Sequence, residues 1–230
     1  EWKDPILDPD LFPIIYQREW ALDILEYNNI DYDQVLVVDG DTIVNPDCPN
    51  FFKETNHKYS GVVENGCYEW VMRSINGWGH YLDFEKEIYP RTWNYFNTGF
   101  IIANKKHKPF FKKVQDFYLA NIDKINNITK NEKYQNLSVV STGQTIVNFL
   151  LNKYDIERTI LPECYNFNDL FRKNLLHIPN NSWWPDELSF LQGGWVYHFA
   201  AIPDGTKTLP SGPRHLDYWM ERTYNHFYKK

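Results

Sequence analysis

The chain has 230 residues, and its 43% hydrophobic and 23% charged residues indicate a folded protein with a sizeable core. The formal net charge is −6 and no long basic run occurs, which argues against a nucleic-acid partner. The longest apolar stretches, such as Val35–Val38, are too short to span a membrane. Three widely spaced cysteines indicate neither a zinc ribbon nor a disulfide framework, and the N-terminus shows no secretion-signal pattern. The compartment is therefore not indicated.

The predicted elements alternate between helix and strand along the chain, because apolar residues at helical spacing alternate with short β-branched runs. The predicted helices are Gln17–Asn29, Lys108–Ile125, Thr142–Lys153 and Pro213–Tyr228. The predicted strands are Phe12–Tyr16, Gln34–Val38, Tyr59–Val63, Phe96–Ala103, Arg158–Leu161 and Trp195–Phe199. The stretch Glu64–Asn94 shows no clear period, which indicates a loop. Since there is no linker and no internal repeat, we expect one α/β domain over residues 1–230.

The most informative segment is the strand Gln34–Val38 with the residues Asp39, Gly40 and Asp41 after it. The apolar run predicts a fully buried parallel strand, and the carboxyl ends of such strands face the ligand-binding crevice of an open α/β sheet. Two carboxylates one residue apart favour a hard divalent cation, which attracts phosphate oxygens. The alternative is a tight turn without a ligand, because aspartate is common in turns.

This segment resembles the DxD motif of GT-A glycosyltransferases. Three further segments resemble motifs of these enzymes in the same chain order: Asn97-Thr98-Gly99 at the start of a strand, Gly143-Gln144-Thr145 in place of the Asp-Gln-Asp of retaining relatives of glycogenin and bacterial galactosyltransferases, and a late His198-Phe199. The four motifs extend over some four-fifths of the chain. The resemblance implies an α/β, GT-A-like (Rossmann-like) mixed sheet flanked by helices.

The resemblance also implies a function. It implies transfer of a sugar from a nucleotide-diphosphate sugar donor to a hydroxyl of a carbohydrate or glycoconjugate acceptor, with retention of the anomeric configuration. It also implies a Mn²⁺ (or Mg²⁺) cofactor that would stabilise the departing diphosphate, and two carboxylates with one imidazole suit such an ion. The implied metal ligands are Asp39, Asp41 and His198, the implied catalytic residues are Gln144 and Asp41, and the implied donor or acceptor contacts are Asn97, Thr98, Gly99 and Lys207.

The sequence departs from this family pattern at three places. One follows His198-Phe199, where the relatives have Gly-x-x-Lys and this chain reaches Lys207 only several residues later. Gly143 and Thr145 stand where the relatives have aspartates, so no carboxylate remains there to bind the donor sugar or to act as a base. Only 38 residues precede Asp39, so the N-terminal strand–helix units that hold the nucleotide base look absent or truncated. We therefore expect the domain to be part of a longer polypeptide.

Aromatic residues make up 17% of the chain and are frequent between residues 64 and 94. Aromatic rings stack on the C–H faces of sugars, so this stretch is predicted to contact the acceptor. Trp78, set between Gly77 and Gly79, is predicted to be its most exposed ring. The alternative is that these rings fold back onto the sheet and fill the core.

Two other functions fit parts of the pattern. One is a catalytically degenerate GT-A module kept for carbohydrate binding or assembly. The apparent lack of the N-terminal strand–helix units, and the absence of aspartates at positions 143 and 145, favour this alternative. The other, less favoured, is a haloacid-dehalogenase-type phosphatase, in which Asp39 is the nucleophile and Asp41 the general acid. Such a phosphatase needs a second acidic pair late in the chain, and the sequence shows no adjacent aspartates there.

Overall fold

The computed structural model describes residues 14–137, 142–173, 175–176, 189–202 and 216–229. The α-helices in these ranges are α1 Ala21–Tyr27, α2 Tyr68–Tyr81, α3 Lys108–Asn126, α4 Thr142–Lys153 and α5 Leu216–Tyr228. The strands are β1 Gln34–Val38, β2 Thr42–Val44, β3 Tyr59–Val63, β4 Phe96–Asn104, β5 Arg158–Ile160 and β6 Val196–His198. None of the described helices combines the length and the apolar character that crossing a bilayer requires.

The main sheet has four strands in the order β1-β4-β3-β5. β4 pairs antiparallel with β1 and with β3, whereas β3 pairs parallel with β5, so the sheet is mixed. β2 and β6 form a separate antiparallel pair in which Thr42 lies opposite His198. α4 packs on β4, and α2 and α3 pack on α4. The expected α/β fold, a mixed sheet flanked by helices, is confirmed.

Two predicted strands differ from the structure. β1 pairs antiparallel with β4, its one neighbour in the described sheet, and its five residues are half-buried rather than fully buried. An apolar run shows that side chains avoid water but carries no information on the direction of the neighbouring strand. Of the predicted strand Phe12–Tyr16, residues 14–16 belong to a 3₁₀ helix, Ile14–Trp20, and residues 12–13 lie outside the described ranges.

α4 lies in the core, and every residue from Thr142 to Leu151 is buried. Asn148 fixes this helix against β4: its Oδ1 accepts from the Phe96 N–H at 2.7 Å, and its Nδ2 donates to the Phe96 carbonyl at 2.9 Å. Because these bonds satisfy backbone groups of a buried strand, they set the position of the helix along β4. They thereby also set the position of Gln144, one turn earlier on α4.

The stretch interpreted from sequence as a loop contains α2, and Trp78 lies on the buried face of this helix with 0% exposure. The neighbouring glycines allow close packing rather than exposing the indole. A Cβ on Gly77 would lie 2.5 Å from Leu137 Cδ2, and one on Gly79 would lie 2.4 Å from Tyr89 Cζ. The prediction that Trp78 is an exposed acceptor-binding ring is therefore wrong.

Candidate active site

Asp39, Asp41 and His198 come together where three strands meet. Asp39 follows β1, Asp41 precedes β2, and His198 ends β6. The His198 Nε2 lies 3.2 Å from Asp41 Oδ1 and 3.8 Å from Asp39 Oδ2. One ligand atom from each residue lies within 4.8 Å of the others, and no second group of this kind is found in the described part of the chain.

These three side chains fit a divalent cation. Neighbouring ligand atoms in an octahedral shell with bonds of about 2.1 Å are about 3 Å apart, close to the observed separations. Burial raises the pKa of Asp41, but the hydrogen bond and charge of His198 outweigh it, so this pKa lies below its usual value. Asp41 is therefore ionised at neutral pH. A hard ion that also accepts nitrogen, such as Mn²⁺, matches this donor set.

Gly99 makes room for this arrangement. The Asp39 N–H donates to the Gly99 carbonyl at 3.1 Å, which brings the two backbones together. A Cβ on Gly99 would lie 2.3 Å from His198 Cε1 and 2.8 Å from Asp39 Oδ2. Because of these short distances, only glycine fits at position 99. The pairing of β3 with β4 also shifts register between Gly61 and Val62, opposite residues 98–100, so β4 is irregular at this point.

Asp39, Asp41 and His198, which we call the candidate metal-ligating group, line a cavity of about 790 Å³, which is within the usual size of small-molecule sites. The cavity is also lined by Arg18, Glu64, Trp70, Gln144, Asp169 and Arg172. Acidic and basic groups thus line one cavity with an aromatic ring. This is the combination that binds a polar, partly charged ligand.

Arg18 places a positive charge beside the metal-ligating group. Its Nη1 lies 3.1 Å from Asp39 Oδ1 and donates to Thr98 Oγ1 at 3.0 Å. The adjacent Glu19 is buried, and its Oε1 lies 4.0 Å from Arg18 Nε. Burial raises the pKa of Glu19 to about 7, although Arg18 lowers it, and the negative charge of Asp39 adds to the increase. Neither Glu19 oxygen has a hydrogen-bond partner within the described ranges.

Glu64, the first residue after β3, is the centre of a buried group that we call the amide cluster, formed by Glu64, Asn97, Gln144 and Asn168. Glu64 Oε2 accepts from Asn97 at 2.6 Å and Asn168 at 3.3 Å, with Gln144 Nε2 at 3.5 Å. Glu64 Oε1 accepts from the Gly66 N–H at 3.1 Å. These donors compensate the buried carboxylate for its lost hydration. The start of α4 has no carboxylate of its own. The carboxylate beside Gln144 is instead that of Glu64, which follows β3.

Gln144, predicted to be catalytic, and Asn97, predicted to contact the donor or acceptor, both line the cavity, but their amides are bound to the protein. Gln144 Oε1 accepts from the Thr98 N–H at 3.1 Å, and Asn97 Oδ1 accepts from the Gly99 N–H at 2.9 Å. Both side chains therefore fix the start of β4. Lys207, the remaining predicted contact, lies outside the described residues.

Four charged lining residues were not predicted as site residues. Glu64 has a usable signal in the sequence, because it directly follows a predicted strand, as Asp39 does. Arg18, Asp169 and Arg172 carry no local pattern that separates them from ordinary surface charges. The folded chain alone brings them to the cavity.

No family model matches this chain, and no curated protein does. Solved structures that resemble it include the apo structure of WbbM, a bifunctional glycosyltransferase, with 20% identity, a TM-score of 0.44, and coverage of 94% of this chain and 37% of that one. Another is the apo form of mouse xyloside xylosyltransferase 1, with 12% identity, a TM-score of 0.40, and coverage of 83% of this chain and 65% of that one. This chain therefore spans little more than a third of WbbM.

Proposed function

We propose that this chain is a GT-A-like domain of a metal-dependent glycosyltransferase and part of a longer polypeptide. It transfers a sugar from a nucleotide-diphosphate sugar to a hydroxyl of a carbohydrate or glycoconjugate acceptor. The observation that carries the proposal is the convergence of Asp39, Asp41 and His198 on one wall of a ligand-sized cavity. A strand-end turn without a ligand would not need a buried histidine 3.2 Å from one of its carboxylates.

In this proposal, Asp39, Asp41 and His198 hold Mn²⁺ or Mg²⁺. The bound cation supplies Lewis-acid stabilisation of the departing diphosphate. Arg18 lies on the same side of the cavity, and its guanidinium group is suited to bidentate contact with phosphate oxygens. Its contact with Asp39 holds the guanidinium close to the position where the leaving group develops charge.

The residues beside the metal-ligating group favour retention of the anomeric configuration. Gln144 is held at both ends, by the Thr98 N–H and by Glu64, so its amide is fixed on the cavity wall. Glu64 accepts N–H bonds on both oxygens, which makes it poorly suited to take a proton from an acceptor hydroxyl. The start of β4, with Thr98 and Gly99, forms the adjoining wall. Proton NMR of the anomeric signal of the product tests retention directly.

The proposal is tested by incubating the chain with Mn²⁺ and a panel of nucleotide-sugars and measuring release of nucleoside diphosphate. Asp41→Asn should reduce release at least about 100-fold, because it removes a ligand charge without changing the side-chain volume. Asp47→Asn, an exposed aspartate in the same part of the chain, is the matched control and should behave as wild type.

Mn²⁺ binding measured by calorimetry separates the alternatives. Metal binding that is lost in Asp41→Asn, together with no release from any donor, favours the catalytically degenerate carbohydrate-binding module. Wild-type release that persists undiminished in Asp41→Asn contradicts the assigned metal site. Release of inorganic phosphate from phosphomonoesters, with no effect of His198→Ala, favours the phosphatase.

A further inference from the structure

Three cavity residues have no role in the metal chemistry proposed above: Trp70, Asp169 and Arg172. Trp70 lies in the first turn of α2, and Asp169 and Arg172 follow the short bridge that Phe167 makes with Tyr197. The Arg172 guanidinium carbon lies 6.0 Å from the centroid of the Trp70 ring. We call these three residues the Trp–Asp–Arg group.

Asp169 combines three features that each cost free energy. It is 3% exposed, its Oδ1 has no hydrogen-bond partner within the described ranges, and its backbone is left-handed with φ of 54°. Burial raises its pKa, and the neighbouring Arg172, whose Nη1 lies 3.1 Å from Asp169 Oδ2, opposes that increase. Such costs at one cavity residue indicate a binding role, because a ligand hydroxyl would satisfy the unpaired oxygen.

The backbone around Asp169 is adapted to this position. A Cβ on Gly66 would lie 2.0 Å from Asp169 Oδ2, so only glycine allows the carboxylate to pack there. The same Gly66 N–H binds Glu64, which places Asp169 next to the amide cluster. The amide cluster in turn contacts the start of β4, whose Gly99 adjoins the metal ligands. The amide cluster thus contacts segments that carry both the Trp–Asp–Arg group and the metal ligands.

We infer that the Trp–Asp–Arg group binds the acceptor, a neutral sugar with a vicinal pair of hydroxyl groups. One hydroxyl donates to Asp169 Oδ1, its neighbour accepts from Arg172, and the C–H face of the sugar stacks on Trp70. Arg172 retains donors for this, because only its Nη1 has a hydrogen-bond partner among the described residues. The inference rests on the proposed function, which puts the donor diphosphate at the metal ligands.

The charges select a neutral acceptor. Asp169 and Arg172 neutralise each other, and the nearby Lys173 is neutralised by its ion pair with Glu163. The carboxylate of Glu64 therefore leaves a negative charge at this end of the cavity. An acidic sugar is therefore repelled, because a like charge in a partly buried site costs more than in water. The subsite accordingly favours hexosides or pentosides without a carboxylate.

The test measures sugar binding without metal or donor, so that it is independent of the proposed transfer reaction. The probes are the methyl glycosides of glucose, galactose and mannose, with methyl glucuronide as the acidic comparison, and binding is measured by saturation-transfer NMR. The wild-type chain should bind at least one neutral glycoside. Asp169→Asn and Trp70→Ala should each raise the dissociation constant for that glycoside at least about tenfold. The glucuronide should bind at least about tenfold more weakly than that glycoside.

Trp93→Ala is the matched control, because Trp93 also has an arginine over its ring, Arg91 at 5.3 Å, but does not line the cavity. It should bind as wild type. The melting temperature of each variant is measured as well. Asp169→Asn removes a buried charge but also the ion pair with Arg172, so a modest fall is expected, and the protein should remain folded at the temperature of the binding assay while sugar binding is weakened.

Wild-type protein that binds none of the three neutral glycosides overturns the inference, as does equal weakening by Trp70→Ala and Trp93→Ala. Tight glucuronide binding overturns the neutral class of acceptor. Glycoside binding with these mutational effects but without metal-dependent donor release supports the sugar subsite and contradicts the proposed transferase activity. The two failures are therefore distinguishable.

Discussion

The substitution Gly99→Ala is the most direct test of the candidate metal site. The added Cβ would lie 2.3 Å from His198 Cε1, whereas ordinary contacts begin at 3.4 Å, so the imidazole has to move by about 1 Å. His198 has little freedom to do so, because its backbone N–H donates to the Phe167 carbonyl at 3.1 Å and its ring is buried. We expect a loss of about 1–3 kcal/mol in the free energy of unfolding.

The functional effect of Gly99→Ala should be larger than its effect on stability. Displacing the imidazole and crowding the Asp39 carboxylate should weaken Mn²⁺ binding at least about tenfold, as measured by isothermal calorimetry. Gly40→Ala is the matched control, since its Cβ meets nothing within 4 Å although it lies between both aspartates. Unchanged Mn²⁺ affinity in a folded Gly99→Ala protein would refute the assignment of His198 as a ligand.

Two further predictions concern side chains held beside the metal-ligating group. Gln144→Ala should slow sugar transfer roughly 10- to 100-fold, because it removes a preorganised amide and frees the Thr98 N–H; a full-rate enzyme in the transfer assay contradicts this. The folded-state pKa of Glu19, about 7, lies above its ordinary 4.5, so the native state binds more protons and stability falls as pH rises from 4.5 to 7. Glu19→Gln should remove about 3 kcal/mol of that fall in denaturant titrations between pH 4.5 and 8, and an unchanged slope contradicts it.

The parts of the fold that the sequence predicts well are those governed by local patterning. The bounds of α4 and β3 follow directly from helical and strand periodicity, as predicted. Asp39 and Asp41 follow from the same kind of reasoning, because they come directly after an apolar strand, whereas His198 joins them as a predicted ligand only through the family resemblance. The resemblance in motif order then associates residues that are far apart in the chain.

The remaining features depend on contacts that a local pattern does not record. α2 has two glycines near its end, and these weaken its helical signal, yet the packing of Leu137 and Tyr89 against them requires glycine. The antiparallel direction of β1 is set by β4, more than 50 residues later. The position of Arg18 at Asp39, and that of Arg172 at the Trp70 ring, likewise arise only after the chain has folded.

The pairing of β2 with β6 has a consequence for the biosynthesis of this protein. It joins residues about 150 positions apart, so the ribosome must synthesise everything up to β6 before Thr42 can meet His198. A nascent chain therefore exposes Asp39 and Asp41 long before the imidazole reaches them. In the proposed site, metal loading therefore has to wait until β6 has paired with β2. A cation present at 100 times its dissociation constant then adds about 2.7 kcal/mol only to a domain in which this pairing has formed.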